Sequence, residues 1–337
     1  MKIGTAMLGL IAMLGIMCLP AQAALQPLEE GYWVLPGQLT ADKEASLRDL
    51  LKKQPADSIF QALAVPVAPA TWGGDEAGQV AVANRLQAAY PGKLILITPT
   101  VGTEGWEASN NVPSVGAAGP GAPQTQAQWL HGLEACKGDK VGLVISSADL
   151  GATPRVQGET PPLDMTVVKA IGGYVKTFAQ WCHAHGKTCL IWLPAEALTL
   201  PGGTAALQLP AEPLTGPGNK AALRMVAKAG GKLVDRWVWT DAAGMSNTNL
   251  PGLLKQICAI TPGDNVVLEY SPGAPGTDTP AHAEAFMAAA QAAGIDRFAV
   301  AGTPEQMTGE GWGDFFKGLS LVMTPPPCGS APAPGGG

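Results

Sequence analysis

The segment from Trp237 to Ala301 reads WVWT, DAAGMSNTNLPGLLKQICAITPGDN, VVLEY, SPGAPGTDTPAHAEAFMAAAQAAGIDR, FAVA. Short runs rich in β-branched and aromatic residues, Trp237–Thr240, Val266–Tyr270 and Phe298–Ala301, are separated by stretches of helical length, Pro251–Ile260 and Pro280–Ala293. The runs are nearly continuous in apolar residues instead of alternating, as expected of parallel strands covered on both faces. Thr279-Pro280 places an N-cap residue ahead of proline at the first helical position, a strong start signal. The segment therefore reads as strand, helix, strand, helix, strand.

The same unit recurs toward the N-terminus. Tyr32–Leu35, Ile59–Val67, Leu94–Thr98, Val141–Ser146 and Cys189–Leu193 complete a set of eight strands. Helical stretches follow at Ala41–Lys53, Gly78–Tyr90, Gln124–Ala135, Asp164–His185 and Lys220–Val234, with a last one at Trp312–Leu321. Eight strand–helix units predict an α/β protein of the (β/α)8 TIM-barrel type. A doubly wound open parallel sheet is the alternative that the same alternation permits; the barrel is favoured because eight units fill the chain with no strand left over and no Gly-rich phosphate loop follows the first strand.

The flanks set domain boundaries and address. Lys2, the apolar run Met7–Leu19, Pro20 and Ala21-Gln22-Ala23 have the charge, length and small-residue cleavage site of a removable export signal. Residues 1–23 are read as signal peptide, 24–323 as one barrel domain, and 324–337 as a disordered Pro/Gly/Ala-rich tail. The expected protein is exported, periplasmic or extracellular, with no transmembrane segment. Charged residues make up 14% of the chain and the net charge is −6, which argues against nucleic acid as a partner.

Cys136, Cys182, Cys189, Cys258 and Cys328 remain beyond the signal. In an oxidising compartment they predict at least one disulfide among the first four, with one thiol left over. Cys182-His183-Ala184-His185 and Cys189 also invite a metal reading, but their spacing matches no common structural zinc pattern. In a barrel all four cysteines fall at the N-terminal face, which serves stability. Asp235-Arg236 and Asp296-Arg297, ahead of two strands, belong to that face as well. No cofactor and no metal is expected.

The catalytic mouth of such a barrel is built from strand C-termini and the loops beyond them. Acidic residues fall near four strand exits: Asp149, Glu196, Asp241 and Glu269. Glu269, inside Leu268-Glu269-Tyr270, is the deepest, and a parallel strand disfavours a charge kept without purpose. Two carboxyls across a mouth can divide acid and base roles. The long connections Val101–Pro123, Leu150–Leu163 and Ala197–Gly218 supply walls for a groove. Trp outnumbers Phe, 9 to 6, and indole faces suit sugar rings. Trp72 and Trp106, in Gly-flanked loops, are the better candidates for a sugar platform. Trp239 and Tyr270, near strand exits, are candidates too, although Trp192 and Trp239 can equally fill the core.

An exported barrel with Asp149, Glu196, Asp241 and Glu269 at the exits of strands four to seven resembles the TIM-barrel glycoside hydrolases at the level of architecture. In the large retaining clan the catalytic glutamates lie on strands four and seven. Glu269 matches the second position, whereas Ser146-Ser147-Ala148-Asp149 stands where that clan has Asn-Glu. Asp149, Glu196 and Glu269 loosely resemble the amylase-like set, and Asp149 with Asp241 the α-galactosidase-like one. The resemblance implies hydrolysis of a poly- or oligosaccharide through a carboxylate pair. The competing reading is a catalytically inactive barrel that binds polysaccharide or an envelope component through the same cleft. No Gly-x-Ser-x-Gly motif is present, and no histidine falls at a strand exit.

Overall fold

The computed structural model describes residues 28–34, 44–49, 62–67, 79–89, 94–99, 106–107, 112–113, 130, 134, 136–145, 165–195, 198, 217–240, 250–271 and 279–303. Eight parallel strands close into a barrel in chain order. They are β1 Glu30–Val34, β2 Ala62–Val67, β3 Leu94–Pro99, β4 Lys140–Val144, β5 Thr188–Pro194, β6 Arg236–Thr240, β7 Val266–Tyr270 and β8 Arg297–Ala301. Closure is made by β8 against β1, with Glu30 opposite Arg297 and Trp33 opposite Val300. An open sheet is excluded, because β1 pairs with β2 on its other edge.

The helices are α1 Gln79–Ala89, α2 Met165–Ala184, α3 Pro217–Gly230, α4 Leu250–Cys258 and α5 Pro280–Ala292. Residues 44–49 are helical as well. Thr279 caps α5 as its sequence indicates, its hydroxyl accepting from the His282 N–H with Pro280 in the first turn. A short antiparallel pair, Trp106–Glu107 with Val112–Pro113, lies in the long connection between β3 and β4. The expected export signal, the C-terminal tail and the helix at Trp312–Leu321 lie outside the described residues.

Side chains divide by parity, since successive residues of a strand point to opposite faces. Tyr32, Ala64, Leu190, Trp192, Val238, Val267 and Ala299 form one apolar cluster filling the lumen. Trp33, Leu143, Ile191, Leu193, Trp237, Trp239, Leu268, Tyr270, Phe298 and Val300 join the helices in the outer core. Trp33, Trp192, Trp237 and Trp239 are all buried. Each such ring removes roughly 150–250 Å² from water, so these four anchor both layers.

The lumen floor is polar. Arg236, the first residue of β6, donates through Nε and Nη2 to the Glu30 carboxylate, and the Tyr32 hydroxyl donates to the same group. Lys140 Nζ lies 5.6 Å from the centre of the Tyr32 ring. Arg297 pairs with Glu29 and with Asp296. Asp235 accepts from the Cys189 N–H at 2.7 Å and from His183 Nε2 at 3.0 Å. The two Asp-Arg pairs thus seal the N-terminal face.

Cys136, Cys182, Cys189 and Cys258 lie at that face, and they are thiols. The expected disulfide is absent among the described residues. Nor does any group of three or more His, Cys, Asp or Glu side chains there form a metal cage. His183 is engaged by Asp235, and His185 stacks on Trp181 at 4.4 Å between ring centres.

Candidate active site at the barrel mouth

Glu269 is the fourth of five residues in β7, in phase with lumen-facing Val267. It is the last position of that strand to face inward. Its backbone partner on β8 is Ala299, itself a lumen residue. The side chain is 6% exposed, the single acidic group buried to that degree among the described residues. A carboxylate so enclosed needs donors, because desolvation without them costs several kcal/mol. Trp192 provides one: its Nε1–H donates to Glu269 Oε2 at 3.2 Å. Trp192 comes from β5, so the bond reaches across the lumen past β6.

This Trp was legible as core but not as a partner of Glu269. Both faces of β5 are apolar, so its parity cannot be read from hydrophobicity alone. Pairing supplies it, since Trp192 stands opposite Val238 of β6, whose own parity follows from the charge at Arg236.

The other described candidates lie elsewhere. Tyr270 follows Glu269 and therefore points outward. It is fully buried against Phe286, with its hydroxyl oxygen 3.4 Å from His282 Nδ1 on α5. Trp239 likewise faces the helices, and its Nε1–H donates to Thr261 Oγ1 at 3.1 Å. Their positions near strand exits suggested a place at the mouth for these two rings. The pleat puts them behind the barrel wall instead. Trp106 belongs to the short antiparallel pair after β3, whose first strand lies against α2. Asp149, Glu196, Asp241 and Trp72 lie outside the described residues.

Chemically, among the described residues the upper lumen offers one carboxylate held by an indole, at the end of the barrel where β4, β5 and β6 exit. A buried carboxylate so placed can serve as nucleophile or as general acid/base once a second carboxyl faces it. The arrangement asks nothing of the N-terminal face.

Solved structures share this architecture. The Bacillus cereus spore cortex-lytic enzyme SleL superposes with a TM-score of 0.53 at 9% identity, covering 88% of this chain and 75% of that one. The catalytic domain of a family GH18 chitinase from the fern Peteris ryukyuensis gives 0.51 at 8%, covering 88% and 100%. The Bacillus megaterium QM B1551 enzyme SleL gives 0.50 at 9%, covering 89% and 74%. At such identities the likeness is one of fold alone: a closed (β/α)8 TIM barrel. No family model and no curated protein matches the chain.

Proposed function

We propose that this chain is an exported glycoside hydrolase-like barrel that acts on a poly- or oligosaccharide, with Glu269 as one member of a carboxylate pair. The observation that carries the reading is Glu269 itself, a buried acid at the last inward position of β7, held by Trp192. Fold neighbours named as chitinases and spore cortex-lytic enzymes support a polysaccharide as the substrate class.

In this mechanism Asp149, Glu196 or Asp241, from the rim beyond β4, β5 or β6, faces Glu269 across the scissile bond. With carboxyls about 5–5.5 Å apart, Glu269 attacks the anomeric carbon while the partner protonates the leaving oxygen, and water then releases the sugar with retention. A separation of about 6.5–9.5 Å would instead admit a water between carboxyl and sugar and give inversion. Trp72 and Trp106 serve as platforms for the sugar rings. The Trp192 N–H fixes the orientation of the Glu269 carboxylate.

The test is a glycan panel presented to the chain beginning at Ala24, read for both binding and release of reducing ends. Glu269→Gln conserves shape and removes the charge. Turnover should fall by about 10²–10⁴-fold, the range for a lost acid/base group, while the melting temperature stays close to the parent's. Full activity in the variant would refute the assignment. Glycan binding without turnover, unchanged by Glu269→Gln, would establish the inactive binding barrel instead. Fractionation of expressing cells and sequencing of the mature N-terminus test export.

A further inference from the structure

We propose that the outer face of α2, α3 and α4 is a docking surface for an acidic polysaccharide, a strand whose repeating unit carries a carboxylate. The chain as a whole is acidic, with 27 Asp and Glu against 21 Lys and Arg. These three helices run the other way. α2 carries Lys169 and Lys176, α3 carries Lys220, Arg224 and Lys228, and α4 carries Lys255. Lys232 follows in the 3-10 turn Gly231–Leu233 that ends α3. Not one Asp or Glu lies in any of these elements.

Packing joins the cations into one face. Gly172 of α2 sits against α3, where an added Cβ would meet Ala229 Cβ at 3.1 Å. Lys169 and Lys176 lie three residues before and four after Gly172, so they share its side of the helix. Lys228 adjoins Ala229 on the other side of that contact. Toward α4, Lys220 Nζ donates to Gln256 Oε1 at 3.2 Å, next to Lys255. All of these cations except Lys220 are exposed. None of the exposed ones forms an ion pair among the described residues.

The arrangement works against local helix stability. Lys220, Arg224 and Lys228 follow one another at four-residue spacing, where like charges repel and an acid would stabilise. Lys220 also stands in the first turn of α3, which has no acid to answer the helix dipole. A helix face that only meets water does well with both signs interspersed. This one is cationic over three neighbouring helices.

The chemistry of the face selects the partner. The exposed residues among the cations of α2 and α3 are small or polar, as at Gly173, Thr177, Gln180 and Ala221. No exposed large apolar side chain stands there to enter a bilayer, and no exposed aromatic offers single-stranded nucleic acid a stacking platform. A nucleic-acid duplex packs one charge into about 1.7 Å of axis and would bring dense phosphate against an acidic chain. Helix positions four and seven apart stand about 6 and 10 Å apart along the axis, which fits a more sparsely charged polymer such as a uronate chain. Successive helices of an eight-fold ring turn by about 45°, so a flexible strand follows this wall better than a flat surface does. The inference uses neither Glu269 nor the mouth, and it goes beyond the hydrolase reading.

The experiment passes the purified protein over immobilised polygalacturonate, with dextran as the neutral control. Retention is expected on polygalacturonate alone, with affinity falling at least about tenfold between about 50 and 200 mM salt. Lys176→Glu/Arg224→Glu/Lys228→Glu, its melting temperature measured alongside, should lose at least about tenfold in affinity. Lys176→Gln/Lys228→Gln, a milder change at exposed positions, should show a smaller loss in the same direction. Absence of retention by the parent at 50 mM salt, or equal retention of parent and variants, would overturn the proposal. So would tighter binding to phosphatidylglycerol vesicles or to duplex DNA, or a dimer in sedimentation that the charge reversals abolish. Glu269→Gln should be retained like the parent whatever its effect on turnover, so failure at the mouth and failure at this wall are read separately.

Discussion

Trp192 and Glu269 meet across the lumen from strands that are not neighbours, the indole N–H of β5 donating to the carboxylate of β7 at 3.2 Å. Trp192→Phe keeps an aromatic ring there and removes the donor. The buried carboxylate then loses a partner, at a cost of about 1–3 kcal/mol in denaturant unfolding. In a Glu269→Gln background the same substitution should cost less, with a coupling of at least about 0.5 kcal/mol. Additive effects would show that the bond contributes nothing.

The lumen floor gives the barrel an acid limit. Burial pushes the Glu30 carboxyl up, but the hydrogen bonds from Arg236 and Tyr32, with the charges of Arg236 and Lys140, outweigh it and hold the group below the ordinary carboxylate value. The folded pKa is therefore lower than the unfolded one. The stability from this site is fully present above the unfolded value of about 4.3 and is lost as pH falls through the folded value. Glu30→Gln should destabilise the protein at pH 7 by about 3 kcal/mol, because it strands a largely buried Arg236. The difference from the parent should shrink in unfolding curves taken below pH ~4.

Two helical glycines should respond in opposite directions to alanine. A Cβ on Gly230 would lie 2.7 Å from Val234 Cγ2, 3.0 Å from Trp237 Cη2 and 3.1 Å from Val175 Cγ1. Gly230→Ala therefore overpacks the contact between α2, α3 and β6 and should cost about 1–3 kcal/mol. Gly173 is exposed in α2, with nothing within 4 Å of such a Cβ. Gly173→Ala should stabilise by about 0.5–1 kcal/mol through the unfolded state and helix propensity. Urea denaturation of the pair reads both signs.

Two tryptophans separate mouth from wall. Trp239→Phe breaks the bond to Thr261 and loosens the outer core, so it should lower the melting temperature and leave glycan affinity unchanged. Trp106→Ala should leave the melting temperature unchanged and weaken oligosaccharide binding by about 1–2 kcal/mol, the scale of a lost aromatic contact. Calorimetry and thermal unfolding on both variants check the division. The reverse pattern would move the sugar platform away from the β3–β4 connection.

The barrel was legible because each of its units is local. Runs such as Val266–Tyr270 and the Thr279-Pro280 start signal specify strand and helix from neighbouring residues alone, and eight repeats of the unit leave few topologies. The placement of Cys136, Cys182, Cys189 and Cys258 at one face followed from the same count. Tyr270 and Trp239, read as mouth candidates from their nearness to strand exits, face outward because Glu269 and Arg236 take the inward positions of β7 and β6. What required the tertiary structure was every relation between strands. That Trp192 faces Glu269 depends on register and closure, because β5 is apolar on both faces and its sequence favours neither. That Arg236 reaches Glu30, 206 residues away along the chain, is equally a product of the closed ring. Local propensity selects the elements, while burial of both faces erases the pattern that would reveal which side chains meet.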